Sequence, residues 1–235
     1  MSIADHGVLA AQYAFRKCRR YTSPEAGAQV RILPWTETCA LHLRETALNC
    51  RFAFNMALMD AEVVVADPLR LPSGRLVAAE PPGLFPAGEV ARWAFAETVA
   101  PGEYPVEVLR ERGWVIAARV IVCPGPVHEW RPAKVAGQPD WEHCFFPVDG
   151  ATGAFGSVEV FEALTDPEAR EDLIADFSFG FGEPYITYAD EDTGLNLIGF
   201  ALGGDGKFET WVGYAAAGDA ARFLTDYGDL RGRDR

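Results

Sequence analysis

The clearest hydrophobic pattern in the chain extends from residue 114 to residue 123. Arg119 is the only charged residue in this stretch, and all the remaining residues are apolar. In a strand, one face would carry Trp114, Ile116, Ala118, Val120 and Val122, and the other Val115, Ala117, Ile121 and Cys123. A strand that is apolar on both faces is typical of the middle of a buried sheet, so the pattern predicts a central strand.

Shorter apolar runs elsewhere have the composition of strands. They lie at residues 63–65, 75–78, 104–109, 195–202, 208–215 and 222–227. Turn residues at 203–206 and 218–219 separate the last three runs, which predicts a meander. Asp166 followed by Pro167 marks the beginning of one helix. The expected fold class is α+β, mostly antiparallel sheet in a sandwich- or meander-like arrangement.

Residues 1–60 show a different, helical spacing. Apolar residues in the first 20 positions recur every three or four residues, at Ala4, Val8, Ala11, Phe15 and Cys18. In residues 37–60, a shared helical face would contain Leu41, Leu48, Phe52 and Met59, although residues 50–58 also alternate like a strand. We favour helix for the first half. The domain prediction is an N-terminal helical extension, residues 1–60, packed on a β-rich domain, residues 61–235.

The balance of charges limits the expected partners. The chain has 21 basic and 34 acidic residues, a formal net charge of −13. Nucleic acids and anionic membranes require a basic footprint, so we expect neither as a partner. A basic protein is an expected partner, because complementary fields speed encounter, although an acidic surface also serves solubility alone.

Cysteine usage and missing motifs narrow the function further. The five cysteines form no Cys-x-x-Cys pair, which favours a reducing, cytoplasmic environment over a disulfide scaffold. No secretory signal and no apolar run of the ~20 residues that a membrane helix requires is visible. Phosphate-binding, dinucleotide-binding and Gly-x-Ser-x-Gly motifs are also missing from the sequence. We therefore favour a non-catalytic role and predict no cofactor.

Three aspartates are the best candidates for chemistry. Asp149 and Asp205 each precede a turn glycine, and Asp226 ends the last strand. If the turns lie at one end of the sheet, these acids would meet Asn196, and such oxygen ligands suit Mg²⁺ or Ca²⁺, with Asp149 and Asp205 as the metal ligands. Thr152 completes the candidate cluster. The alternative is structural, because aspartates in turns bond to backbone amides.

A second candidate surface contains tryptophan and acidic residues. Trp130 and Trp141 occur in the proline-rich segment 124–141, and exposed tryptophans anchor protein interfaces. Tyr185 is a further candidate anchor. The acids expected to face a basic partner are Glu80, Glu89, Glu183, Asp190, Glu191 and Asp192.

Several short motifs occur together in a fixed order. They are Leu71-Pro72-Ser73-Gly74-Arg75-Leu76-Val77, Pro101-Gly102-Glu103-Tyr104-Pro105-Val106, Pro147-Val148-Asp149 with Thr152-Gly153, the pair Gly194 and Asn196, Gly204-Asp205-Gly206, and the closing Asp226. In these motifs, over residues 71–229, the chain resembles the bacterial domain-of-unknown-function family 4241. It departs from the family pattern at Glu80, usually aspartate, and at Tyr227, typically phenylalanine. The resemblance implies a β-rich fold and no established activity.

Two hypotheses for the function remain open. The first is non-catalytic binding of another protein, in one version an immunity-type protein that neutralises a toxin domain; the negative charge and the missing catalytic motifs favour it. The alternative is a metal-assisted hydrolase or other small-molecule enzyme. In that enzyme Asp149 and Asp205 would bind a divalent metal, Asn196 would orient the substrate and Asp226 would act as acid or base.

Overall fold

The computed structural model describes residues 61–81, 85–136, 145–176 and 183–228. In chain order its elements are β1 (Ala61–Leu71), β2 (Leu76–Ala79), a 3₁₀ helix (Val90–Arg92), β3 (Gly102–Glu111), β4 (Trp114–Ile121), β5 (Glu129–Pro132), β6 (Phe145–Val148), β7 (Thr152–Ser157), α1 (Val158–Ala163), α2 (Pro167–Asp176), β8 (Tyr185–Ala189), β9 (Asn196–Ala201), β10 (Gly206–Tyr214) and β11 (Ala220–Asp226). The predicted N-terminal helical extension and Trp141 lie outside these residues. Neither α1 nor α2 has the length and hydropathy needed to cross a membrane.

The strands form two sheets that pack face to face. The large sheet has the order β1-β3-β4-β11-β10-β5, with β6 also paired to β10, and the small sheet has the order β2-β7-β9-β8. Every pair of named strands is antiparallel. Between the sheets lies an interior of aliphatic and aromatic side chains that includes Val106, Val120, Phe155 and Phe223. The mostly antiparallel β fold predicted from the sequence is confirmed.

The predicted meander is only partly correct. Strands β10 and β11 form a hairpin, but β9 belongs to the small sheet and β10 to the large one. Residues 203–205 therefore carry the chain from one sheet to the other and do not reverse it within one sheet. A glycine-rich segment indicates that the chain turns there. It does not indicate which strand the next strand pairs with, because that pairing depends on contacts between residues distant in sequence.

The central strand is β4, and its alternation differs from the prediction at one residue. Leu109 of β3 pairs with Ala117 and Arg110 pairs with Val115, so Ile116 is an extra residue in β4. This bulge places Val115 in the sandwich interior, on the same side as Ala118. A bulge shifts the period of two by one residue, which the apolar pattern alone does not reveal.

Both helices lie on the outer face of the small sheet. The Ser157 hydroxyl accepts from Val160 N at 3.1 Å and begins α1. Asp166 Oδ1 accepts from the amides of Glu168 and Ala169 at 2.9 and 3.2 Å, which confirms the predicted helix start before Pro167. A second apolar cluster forms beneath the helices and includes Phe161, Leu173, Val77, Ala154 and Leu197.

The turn between β1 and β2 requires glycine. Gly74 has φ +71°, and a Cβ placed there would lie 1.8 Å from Val99 O. Its amide donates to Leu71 O at 3.1 Å, and Val99 N donates to its carbonyl at 2.9 Å. A residue with a side chain would need both a left-handed backbone and a displaced neighbour, so this glycine positions β2 against segment 95–99.

Candidate functional site

Two neighbouring crossovers bring the predicted turns together. The segment 149–151 leads from β6 in the large sheet to β7 in the small sheet, and 202–205 leads back from β9 to β10. Val148 pairs with Gly206 on one side and Thr152 with Ala201 on the other, so the two segments cross between the sheets side by side. Pairing of the flanking strands therefore places Asp149 and Asp205 at the same end of the sandwich.

The carboxylates at the crossovers bind backbone amides. Ala151 N donates to Asp205 Oδ1 at 3.0 Å, Asp149 N donates to Glu80 Oε2 at 3.0 Å, and Gly150 N donates to Glu80 Oε1. Ala151 has φ +50°, a left-handed conformation that the carboxylates help to hold. Thr152 Oγ1 donates to Gly150 O at 3.1 Å. Glu80 and Asp205 thus secure the turn through their carboxylates, whereas Asp149 takes part through its backbone amide. For Asp205 this is the structural alternative that the sequence left open.

Glu80 was not expected to belong to this cluster. From the sequence it was only one of several acids available to a partner and a departure from the family's aspartate. It directly follows β2 (Leu76–Ala79), and its two oxygens meet successive amides of the first crossover. The available clue was its place in the family motif, where an acid is usual.

Asn196 is not part of the cluster, contrary to the prediction. It begins β9, whereas the crossover leaves the other end of that strand, about 17 Å away at ~3.3 Å per residue. Asn196 Oδ1 accepts from Arg70 N at 2.8 Å, and Nδ2 donates to Pro68 O at 2.8 Å. The amide therefore joins β9 to β1 within its irregular stretch between Ala66 and Leu69, at Pro68, and directly after it, at Arg70.

Asp226 lies on the large sheet, where β11 ends. Its Oδ1 accepts from Gly228 N at 3.1 Å and so stabilises the bend that follows. Asp226 pairs across the sheet with Ala117 and Glu209. Unlike Asp149, it lines a cavity together with Asp205.

This cavity has a volume of about 740 Å³ and lies at one end of the large sheet. The β3–β4 hairpin, the crossover 203–205 and the ends of β6, β10 and β11 surround it. Its lining contains the carboxylates of Glu111, Asp205, Glu209 and Asp226, the cations Arg112 and Lys207, and the aromatic rings of Trp114, Phe145, Phe208 and Tyr227. Trp114 is 52% exposed and Phe145 46%, so two rings are accessible to a ligand.

Two features of the local structure form the cavity wall. The β3–β4 connection is a two-residue turn in which Arg112 and Gly113 have φ +52° and +91°, the signs required by a type I′ hairpin. Tyr227 packs among Phe146, Phe200 and Phe208, with ring centroids 5.2–6.2 Å apart. Burial raises the pKa of its hydroxyl, and the nearby Thr225 side chain opposes that shift without forming a hydrogen bond of good geometry.

The predicted partner-contact residues fall on separate parts of the sandwich. Trp130 is half-buried on β5 of the large sheet, and Tyr185 is half-buried on β8 at an edge of the small sheet. Glu183, Glu191 and Asp192 are exposed near β8.

Asp190 has a structural task in the same turn. Its Oδ1 accepts from Thr193 N at 2.7 Å and from Thr193 Oγ1 at 2.8 Å. These hydrogen bonds hold the pKa of the carboxyl below its usual value.

The side chains that could bind a metal ion do not form a metal centre in the part of the chain that the structure describes. No three His, Cys, Asp or Glu side chains are grouped there in a way that could hold a metal ion. Cys123, the one cysteine within those residues, is half-buried and free. Asp205 directs an oxygen to a backbone amide, which is the use expected of a turn aspartate.

Comparison with known proteins identifies the family. The model of the family described as "Protein of unknown function (DUF4241)" matches residues 69–225. The chain belongs to this family, as its motifs predicted. No curated protein and no solved structure matches the chain.

Proposed function

We propose that this protein is a non-catalytic binding module whose cavity receives a basic side chain of a protein partner. The observation that carries the proposal is the combination, in one cavity, of four carboxylates with the exposed rings of Trp114 and Phe145. Two cations, Arg112 and Lys207, share the lining, so the carboxylates outnumber them. Such a site favours a cationic group over an anionic or neutral one.

The exposed rings supply the second part of recognition. A lysine or arginine placed over the Trp114 ring would gain roughly 0.5–1 kcal/mol at an exposed site and ~2 kcal/mol once water is excluded. The carboxylates would orient the same cation through charge-assisted hydrogen bonds. The net charge of −13 would add long-range attraction, which raises the association rate and weakens with salt.

The more specific version is an immunity-type protein that neutralises a basic toxin domain. Its support is the excess of acidic over basic residues, 34 against 21, which would attract a basic toxin domain. A cytoplasmic location belongs to the same proposal. Neutralisation needs only tight, specific binding, so it requires no reactive group in the cavity.

A pair of matched tryptophan variants tests the binding proposal. Wild type, Trp114→Ala and Trp93→Ala would be used as baits in a native lysate at low and moderate salt, with captured proteins quantified by mass spectrometry. Trp93 is the control because it is 49% exposed but does not line the cavity. We expect wild type and Trp93→Ala to retain one stoichiometric basic protein that Trp114→Ala loses. Equal capture by all three baits would place binding elsewhere, and empty baits would reject a constitutive partner.

One observation supports the rival enzyme hypothesis: Asp205 and Asp226 line the same cavity. The position of Asn196 at the far end of β9 weighs against it, because that residue would have to orient the substrate. Calorimetric titration of the purified protein with Mg²⁺ and Ca²⁺, in wild type and Asp205→Asn, separates the two. An enzyme predicts metal binding that the variant loses at an unchanged melting temperature. A structural role predicts no binding and a loss of about 1 kcal/mol of stability.

A further inference from the structure

The outer face of the large sheet, turned away from the small sheet, contains an unusual row of residues. Across neighbouring strands Val65 pairs with Glu107, Glu107 with Arg119, Arg119 with Leu224, Leu224 with Trp211, and Trp211 with Pro132. The four central residues of this row are buried, while Val65 and Pro132 at its ends are partly exposed. The face is therefore covered at its centre and open at its edges.

The adjacent row repeats the pattern. Val63, Leu109, Ala117, Asp226, Glu209 and Phe145 pair in that order across the same strands. Leu109 and Ala117 are fully buried, whereas the end residues Val63 and Phe145 are 39% and 46% exposed. The buried residues span four strands in the first row and three in the second, so together they define a covered strip roughly 15–20 Å wide.

The described elements account for only one end of this strip. Arg222 Nη2 donates to Gly125 O at 3.2 Å, and the Val127 side chain lies against Gly213, so segment 122–128 covers the row next to Leu224. The apolar residues of the two central rows belong neither to the sandwich interior nor to the cluster beneath the helices. Within the described residues both helices pack on the small sheet, on the opposite side of the molecule.

The buried ion pair shows that water is kept from the strip. Glu107 Oε2 accepts from Arg119 Nε at 2.8 Å and from Nη2 at 2.5 Å, and both side chains are almost fully buried. Charged residues are seldom fully buried unless they are paired, and two charges beneath a sheet face that was open to solvent would remain hydrated. A substantial cover is required.

We propose that residues 1–60 of the chain dock on this face, centred on the row from Glu107 to Trp211. The other segments outside the description, 82–84, 137–144, 177–182 and 229–235, have at most eight residues each and are too short to cover the strip. Residues 1–60 end where β1 begins, at the edge of the same sheet.

The sequence of this segment fits the role. Its apolar residues recur at helical spacing, as at Leu41, Leu48, Phe52 and Met59, which would give one apolar side to place on Leu109, Ala117 and Leu224. A helix with its side chains is about 10 Å wide, so two neighbouring helical segments would span the strip. The docked segment would add a fourth layer, after the helices α1 and α2, the small sheet and the large sheet.

Photo-crosslinking of the full chain tests the proposal. The protein would be expressed with a diazirine analogue of leucine, irradiated, digested and mapped by mass spectrometry, using a mixture of ¹⁵N-labelled and unlabelled copies. We expect Leu109 and Leu224 to crosslink to residues 1–60 of the same copy. Leu71 and Leu76, in the sandwich interior, are internal controls and should crosslink only within the two sheets.

Three outcomes would overturn it. Crosslinks from Leu109 and Leu224 only to 137–144 or 229–235 would assign the cover to those segments. Mixed-isotope crosslinks would assign it to a second copy of the chain. Efficient crosslinking at Leu71 with none at Leu109 and Leu224 would show that the face is open to solvent. The docking face and the cavity share Asp226, Glu209 and Phe145, so the docked segment would border the cavity. The crosslinks from Leu109 and Leu224 identify that segment whether or not a partner occupies the cavity.

Discussion

The inner and outer faces of the large sheet are formed by the same strands but contain different chemistry. Val106, Val120 and Phe223 point into the sandwich, and their sequence neighbours Glu107, Arg119 and Arg222 point to the other side. All six side chains are buried. The inner face is held by apolar burial, whereas the outer face places an ion pair and a second guanidinium among apolar residues.

The difference matters because the two kinds of burial respond differently to substitution. Apolar contacts are nondirectional and tolerate changes that conserve volume. Buried charges are expensive to desolvate and depend on each partner remaining in place. At Arg222 burial, followed by the nearby charge of Arg119, lowers the pKa to about 10, and its Nη1 and Nη2 donate to the carbonyls of Ala221 and Gly125. The outer face is therefore the more sensitive of the two to chemical change.

The largest effect is expected from Glu107→Leu. This substitution removes the carboxylate that accepts two hydrogen bonds from buried Arg119, so the free energy of unfolding should fall by roughly 4 kcal/mol in urea denaturation. Adding Arg119→Met should recover most of that loss, because a buried pair can be replaced by apolar residues. The exposed pair Glu129–Arg131 is the control, and Glu129→Leu should not change stability measurably. Equal effects at Glu107 and Glu129 would show that the outer face is hydrated.

A somewhat smaller effect is expected from Leu224→Ala. Leu224 is buried on the outer face, next to Phe223 of the inner face, and its truncation should cost about 3 kcal/mol if that face is packed as a core. The control is Val63→Ala, on the same face but 39% exposed, which should cost well under ~1 kcal/mol. Chemical denaturation of both variants measures the difference. Similar small values would contradict the packed outer face.

On the inner face the expected change is a gain. The Tyr227 hydroxyl is buried beside Thr225 but makes no hydrogen bond of good geometry, so Tyr227→Phe should raise the free energy of unfolding by about 1 kcal/mol. Tyr104→Phe provides the control, since the Tyr104 hydroxyl donates to Ala100 O and its removal should destabilise the protein. Thermal denaturation of both variants would compare them. A loss at Tyr227 would mean that its hydroxyl is satisfied in solution.

The smallest effect concerns a carboxylate outside both faces. Hydrogen bonds from Thr193 lower the folded-state pKa of Asp190, so its stabilising contribution is complete above the unfolded carboxyl pKa of about 4 and is lost as the pH falls through the folded value. An NMR titration of the Asp190 carboxyl carbon should have its midpoint below about 4. Thr193→Val, which removes the hydroxyl donor, should move the midpoint upward. A midpoint at or above the usual value in wild type would contradict the turn geometry.

The sequence predicted the strands better than it predicted their partners. Alternating and continuous apolar runs identified β3, β4, β9, β10 and β11, because side-chain polarity reports directly which positions are buried. The same runs carry no information on which sheet a strand joins, so β9 and β10 were placed in one meander. The bulge at Ile116 was not predicted for a related reason. A single extra residue leaves the strand β4 as apolar as before, so its composition does not indicate the bulge.

For the candidate site too, the sequence identified individual residues better than it identified which of them lie together. The turn aspartates at 149 and 205 were identified from their neighbouring glycines, and the crossovers do bring them to one end of the sandwich. Asn196 was grouped with them wrongly, because its distance from Asp205 depends on the direction of β9. Trp114, Phe145, Glu111 and Glu209 were not predicted to share a cavity, since they come from four different strands.

The sequence by itself determined the β-rich class, the family, the helix start at Asp166 and the need for turns at particular glycines and aspartates. These properties depend on local geometry and on the polarity of consecutive residues. Only the tertiary structure decided the two-sheet topology, the pairing of buried Arg119 with Glu107, the use of Glu80 and Asp205 as backbone acceptors, and the cavity. Each of these joins residues distant in the chain, and their proximity arises only when the strands pair.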